Sequence, residues 1–255
     1  MWPELSCAAN AISLLMPFVE PYLVRAVRAV RDDIDDPDVR RDLDAYVSQE
    51  LAHHAQHRRF NQLIVAQCPS LARIERWIAR VIGWLERRST RFSLAFAAGG
   101  ETVAYCSARW VEPRIGTLFT GAMPEAASLF LWHLAEEVEH KRVAYEIFDQ
   151  VDGSRARLAR GMIAAFVFLA TFTIISTFAM LARTRRIWNP IAHLRLLLWG
   201  VQFAFCALPV MATSVTRSHH PDDLVDPGWY AMWLGAYDGS GEAAPRWQPP
   251  ARVSS

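Results

Sequence analysis

Cysteine is scarce and scattered in this chain of 255 residues: Cys7, Cys68, Cys106 and Cys206 form no Cys-x-x-Cys pair. That spacing excludes a thiolate zinc site and a disulfide-dense scaffold, and it suits a reducing compartment. Lysine is nearly missing, because 26 of the 27 basic residues are arginine and Lys141 stands alone; this reads as compositional bias of the genome. An excess of one charge sign is missing too. With 27 basic against 26 acidic residues the net charge is +1, so no global cationic surplus neutralises phosphates and no nucleic-acid partner is expected. Only 12 Gly and 14 Pro are present beside 52% hydrophobic residues, which excludes collagen-like and disordered chains. The start, Met1-Trp2-Pro3-Glu4, lacks the basic and apolar runs of a secretory signal, so the expected setting is cytoplasmic.

Strand signals are absent as well, since no Asn-Gly or Asp-Gly turn separates alternating runs. The chain reads as all-α. A first helix is expected from near Pro17, with Pro21 in its first turn, to Asp32-Asp33. Asp36-Pro37 opens a second, as N-cap and first-turn proline, and Pro69 closes it. A third stretch covers about 70–112, with a break expected near Gly99-Gly100, and a fourth runs from Met123-Pro124 to Gly153. Charge then disappears: 161–182 and 196–216 contain none, and at about 1.5 Å per residue each is long enough to cross a bilayer core. The arginine-rich connection between them opposes a spanning hairpin under the positive-inside tendency. The pair is therefore expected to pack on the bundle, or to meet the inner face of the cytoplasmic membrane or a second copy, giving a homodimer. The expected units are 1–153, 154–216 and an irregular tail, 217–255.

Two helices carry Glu-x-x-His: Glu50 with His53, and Glu137 with His140. A three-residue helical step is about 300°, so carboxylate and imidazole share a face and can hold one ion. Each such helix is preceded by one with an isolated glutamate in apolar or small-residue surroundings, Glu20 and Glu101. The order Glu, Glu-x-x-His occurs twice, a twofold pseudo-repeat. His57 and His133 fall on the same faces seven residues from Glu50 and His140, and are candidate ligands, outer-shell donors or proton shuttles. Glu136 competes with Glu137, being four residues before His140. Tyr105, one turn past Glu101, is a candidate hydrogen-bonding residue. His54 is placed off the ligand face, and His193, His219 and His220 lie outside the pattern.

This arrangement resembles the ferritin-like di-metal carboxylate proteins. In finer detail it resembles the bacterial family of predicted metal-dependent hydrolases, through Gln-Glu-x-x-His-x-x-x-His at 49–57, Trp-His-x-x-Glu-Glu-x-Glu-His-Lys at 132–141, and Asn61. The resemblance implies a four-helix bundle with two additional apolar helices. It also implies two divalent ions, iron first and manganese or zinc as alternatives, with Glu20, Glu50 and His53 serving one ion, Glu101, Glu137 and His140 the other, and some of the carboxylates bridging. The chemistry implied by ferritin-like relatives is dioxygen activation to oxidise or hydroxylate a hydrophobic small molecule. The family label implies hydrolysis by a metal-bridging hydroxide instead, and a non-catalytic metal-binding or membrane-associated protein is the third reading.

Overall fold

The computed structural model describes residues 2–236, and every regular element among them is helical. The expected tail beyond residue 236 lies outside the described residues. The first helix, α1, spans Pro3–Arg28, so it begins well before Pro17 and contains both Pro17 and Pro21 in its interior. An interior proline removes one backbone hydrogen bond and costs about 3 kcal/mol. Two persist here because α2 (Pro37–Gln67) meets the carbonyls they free. Asn61 Nδ2 donates to Ser13 O at 2.7 Å, and the His54 imidazole lies against the Pro17 carbonyl. Burial outweighs the remaining cost, since Leu14, Leu15, Val24 and Val27 are all in the core at about 1.5–3 kcal/mol each.

Asp36 caps α2 by accepting from Asp38 N at 2.8 Å, with Pro37 in the first turn. The next stretch is two helices, α3 (Leu71–Leu85) and α4 (Thr90–Val111), and the break falls at 86–89 instead of at Gly99-Gly100. Ser89 restarts the helix as an N-cap, accepting from Phe92 N. Short α5 (Ile115–Leu118) leads to α6 (Pro124–Val151), which Gly153 ends in a left-handed conformation at φ +62°. The apolar runs lie in α7 (Arg155–Arg183) and α8 (Pro190–Ser214).

The helices stack in three layers. Helices α2 and α6 touch one another and lie on α1 and α4 respectively; α7 packs on the far side of α1 and α4. Helix α8 also rests on α4, and α3 packs against α1 and α7. Core clusters run across the expected 153/154 boundary, with Leu158 and Met162 among Leu94, Ala95 and Ala98. At that crossing Gly99 is a contact residue: a Cβ there would lie 2.3 Å from Met162 Cα, and one on Gly161 would lie 2.3 Å from the Ala95 carbonyl carbon. The missing side chains let the two backbones touch.

The expected irregular tail needs correction up to residue 236. A final helix, α9, spans Gly228–Ala236, and Trp229 and Trp233 are buried in a cluster with Leu5, Ala108 and Leu131. Trp229 Nε1 donates to Ala108 O at 3.1 Å. Lys141 secures the approach by donating to Leu224 O at 3.0 Å and pairing with Asp226. Among the described residues three helices, α1, α7 and α8, are long and apolar enough to cross a membrane, one more than the sequence reading expected, because α1 starts early.

The crossing makes a clear expectation. Gly99→Ala should lower stability by about 2 kcal/mol or more, as overpacking does, whereas Gly83→Ala in α3, where a methyl meets nothing within 4 Å, should raise it by about 0.5–1 kcal/mol. Denaturant midpoints measure both, and matching midpoints would refute the tight contact.

Candidate metal centre

Helical spacing puts Tyr46, Glu50, His53, His57 and Asn61 on the buried stripe of α2. Helix α6 contributes His133, Glu137 and His140, α1 contributes Glu20, and α4 contributes Glu101. All six expected ligands are buried. They converge, but in a different grouping. Glu20, His53 and His133 offer ligand atoms within 4.8 Å of one another, and Glu50, Glu101, Glu137 and His140 form the second such group. Glu50, expected with Glu20 and His53, lies in the group of Glu101, Glu137 and His140, and His133 joins Glu20 and His53. The reason is geometric: Glu50 reaches across to α6, where its Oε1 lies 2.9 Å from His140 Nδ1, while staying 3.7 Å from His53 Nδ1. Glu137 does the converse, with Oε1 at 2.6 Å from His133 Nε2 and 3.9 Å from His140 Nδ1. One carboxylate from each Glu-x-x-His pair thus sits between the two groups.

Four carboxylates in so small a dry volume repel one another. Burial, then the neighbouring carboxylates, push Glu20 and Glu101 well above the ordinary carboxylate range, and burial raises Glu137 to about 7. Burial acts on Glu50 in the same direction, but the His140 and His53 imidazoles beside it outweigh burial and hold the group low. For His53 burial is likewise outweighed, by Glu136 and Glu50, so its pKa rises; burial and neighbouring imidazoles lower those of His57 and His133.

The residues fit divalent cations. Both Glu20 oxygens, Glu50 Oε1, Glu101 Oε2 and His140 Nδ1 are buried without a hydrogen-bond partner, a costly state that an ion would relieve. The remaining atoms of the same side chains are held from outside. Tyr46 Oη donates to Glu101 Oε1 at 2.6 Å, and Gln49 Oε1 lies 3.1 Å from His140 Nε2. Glu136, itself accepting from Trp132 Nε1 at 2.8 Å, has Oε2 at 2.8 Å from His53 Nε2. Mixed carboxylate and imidazole donors suit iron, manganese or zinc.

His57 belongs to a longer chain of contacts. Because Asn61 Nδ2 donates to Ser13 O, its Oδ1 must be the atom that accepts from Ser13 Oγ at 2.7 Å. That uses the only hydroxyl hydrogen, so Ser13 Oγ, 2.8 Å from His57 Nδ1, accepts from it. His57 Nε2 is then an acceptor for His133 Nδ1 at 2.6 Å, leaving the His133 Nε2 lone pair directed inward. Such partners fix tautomer and ring orientation. The hydrogen-bonding roles of Ser13, Tyr46 and Trp132 escaped the sequence reading, although Ser13 is seven residues before Glu20 and Tyr46 four before Glu50. Extending the face rule to hydroxyl and indole side chains would have found them. Tyr105 turns away and donates to Val225 O at 2.7 Å, His219 packs on Tyr145, and His193 bonds Ile187 O.

A family model described as predicted metal-dependent hydrolase matches residues 2–224, and the chain belongs to that family. Neither a curated protein nor a solved structure matches the chain.

Two measurements follow from these contacts. Because Glu20, Glu101, Glu137 and His53 hold protons more firmly than usual, an ion must displace them: binding at pH 6.5 should release at least about one proton per chain, and affinity should rise with pH. Calorimetry in buffers of differing ionisation enthalpy reads this directly, and zero release would contradict binding at the cluster. Nitrogen NMR of labelled histidines in the metal-free protein should show His57 and His133 as neutral Nδ1–H tautomers. Ser13→Ala should disturb both and weaken metal binding by about tenfold or more.

Proposed function

From that membership and from the two joined groups, we propose that the protein is a dinuclear metal-dependent hydrolase acting on an ester, amide or phosphoester bond of a hydrophobic small molecule. The observation that carries this reading is the placement of Glu50 and Glu137 between two buried ligand groups whose inward atoms lack partners. Divalent ions held there would polarise the scissile group and lower the pKa of an attacking water. Glu20, His53 and His133 would hold one ion, Glu101 and His140 the other, and Glu50 and Glu137 would serve both. Tyr46 keeps Glu101 Oε2 turned inward, and Gln49 keeps the His140 Nδ1 lone pair there, so the donors are oriented before any ion arrives. Glu136 is the carboxylate placed to exchange a proton with solvent, since its side chain is 16% exposed while Oε2 touches His53. The free thiols of all four cysteines fit a cytoplasmic setting.

Protein loaded with manganese or zinc should hydrolyse chromogenic esters of medium-chain acids or chromogenic phosphodiesters. Glu137→Ala should lower kcat/KM by more than about 100-fold and reduce bound metal, whereas His219→Ala should leave both unchanged. Rapid dioxygen uptake by the ferrous-loaded protein, with no hydrolysis of either substrate set, would replace this reading with oxidation.

A further inference from the structure

Between Arg160 and Arg183 on α7, and beyond Arg195 on α8, the outward faces carry no charge, and nothing covers them among the described residues. On α7, Ile163, Val167 and Ile174 are exposed at helical spacing, opposite Gly161, Met162 and Ala165, which face α4 and α1. On α8, Leu197, Val201, Phe205 and Leu208 form the open stripe, Phe205 being 78% exposed, while Ala207, Val210 and Met211 pack inward. Soluble proteins seldom leave two long helices apolar on the solvent side.

The charges around this surface distinguish its occupants. The connection 183–195 contains Arg183, Arg185, Arg186 and Arg195 and no acid. Of these only Arg195 joins an ion pair, with Glu4, among the described residues. Trp188 at the same end is 85% exposed. At the other end, Arg160 precedes the open face of α7 and Arg217 follows α8, both outside any ion pair among the described residues. A second copy laid on this surface with its 183–195 end against the same end would set arginine against arginine. Anionic lipid headgroups would neutralise both ends, and an exposed tryptophan suits the depth of the headgroup region.

We propose that the α7–α8 face is a membrane-docking surface that sinks its uncharged stripe into one leaflet rich in anionic lipid. It does not span. Helix α7 is packed lengthwise on α4 and α1, and α3 beside it presents exposed Arg73, Arg76 and Arg80. A spanning α7 would carry those arginines to hydrocarbon depth, which is costly. Peripheral docking leaves them in water.

Sedimentation of the full chain with vesicles tests this directly. Vesicles of phosphatidylcholine with about 30 mol% phosphatidylglycerol should bind at least about fivefold more strongly than pure phosphatidylcholine, and less as salt rises. The double variant Leu197→Glu, Phe205→Glu should weaken binding to both vesicle types by about tenfold, and Arg183→Glu, Arg186→Glu should remove only the anionic preference. All four positions are exposed, and circular dichroism verifies the helical fold of each variant. Failure of the unaltered, folded chain to bind either vesicle overturns the proposal. So does a concentration-dependent dimer, broken by Phe205→Glu, in a protein that ignores vesicles; that result assigns the face to a second copy. Neither result bears on the metal centre, which lies between the other two layers.

Discussion

Enclosing four glutamates in a dry helical interior is the constraint on which the rest of the molecule depends. An isolated carboxylate costs several kcal/mol to bury even after relaxation, and Glu20, Glu50, Glu101 and Glu137 are all at most 4% exposed. Coulomb repulsion adds to that cost. Without cations the group reaches a compromise in which His140 and His53 hold Glu50 below the ordinary carboxylate range while burial pushes the other three above it. Divalent ions would replace that proton arrangement with direct charge neutralisation, so metal affinity and local order are two aspects of the same free energy.

Helix α1 shows how backbone and site are joined. Its prolines release carbonyls exactly where α2 has polar side chains to receive them, and the Asn61 that meets Ser13 O also orders the Ser13 and His57 contacts leading to His133. A net hydrogen bond contributes only about 1 kcal/mol, so these bonds do not by themselves offset two interior prolines. Their larger effect is directional, because apolar burial holds α1 in place and the polar chain sets which nitrogen of His133 is available inward.

What could be read from the sequence followed from periodicity. The all-helical class, the Asp36 cap, the helix start at Pro124, and the shared face of each Glu-x-x-His pair depend on spacings within single helices, which any helix must obey. Across helices, spacing is silent. Nothing in the order of residues told that Glu50 leans toward His140, or that His133 joins Glu20 and His53, because those contacts depend on how α2 and α6 cross. The prolines and glycines misled for a related reason: Pro17, Pro21 and Gly99 are tolerated or required by neighbours on other helices, and local propensity treats them as breaks. Likewise the Pro-, Gly- and Asp-containing stretch before α9 looked irregular, although Trp229 and Trp233 had a pocket to fill.

Helix α4 links the two halves of the molecule's chemistry. Glu101 projects from it into the centre, while Gly99 brings its opposite side into backbone contact with α7. A face built on glycine and alanine leaves little room for rotamer adjustment, so α4 acts as a rigid partition, with polar side chains gathered on one side and apolar helices on the other. The division also answers why the uncharged segments α7 and α8 coexist with a densely ionisable centre in one small domain: one close-packed layer separates them, and each environment can be optimised without placing its demands on the other.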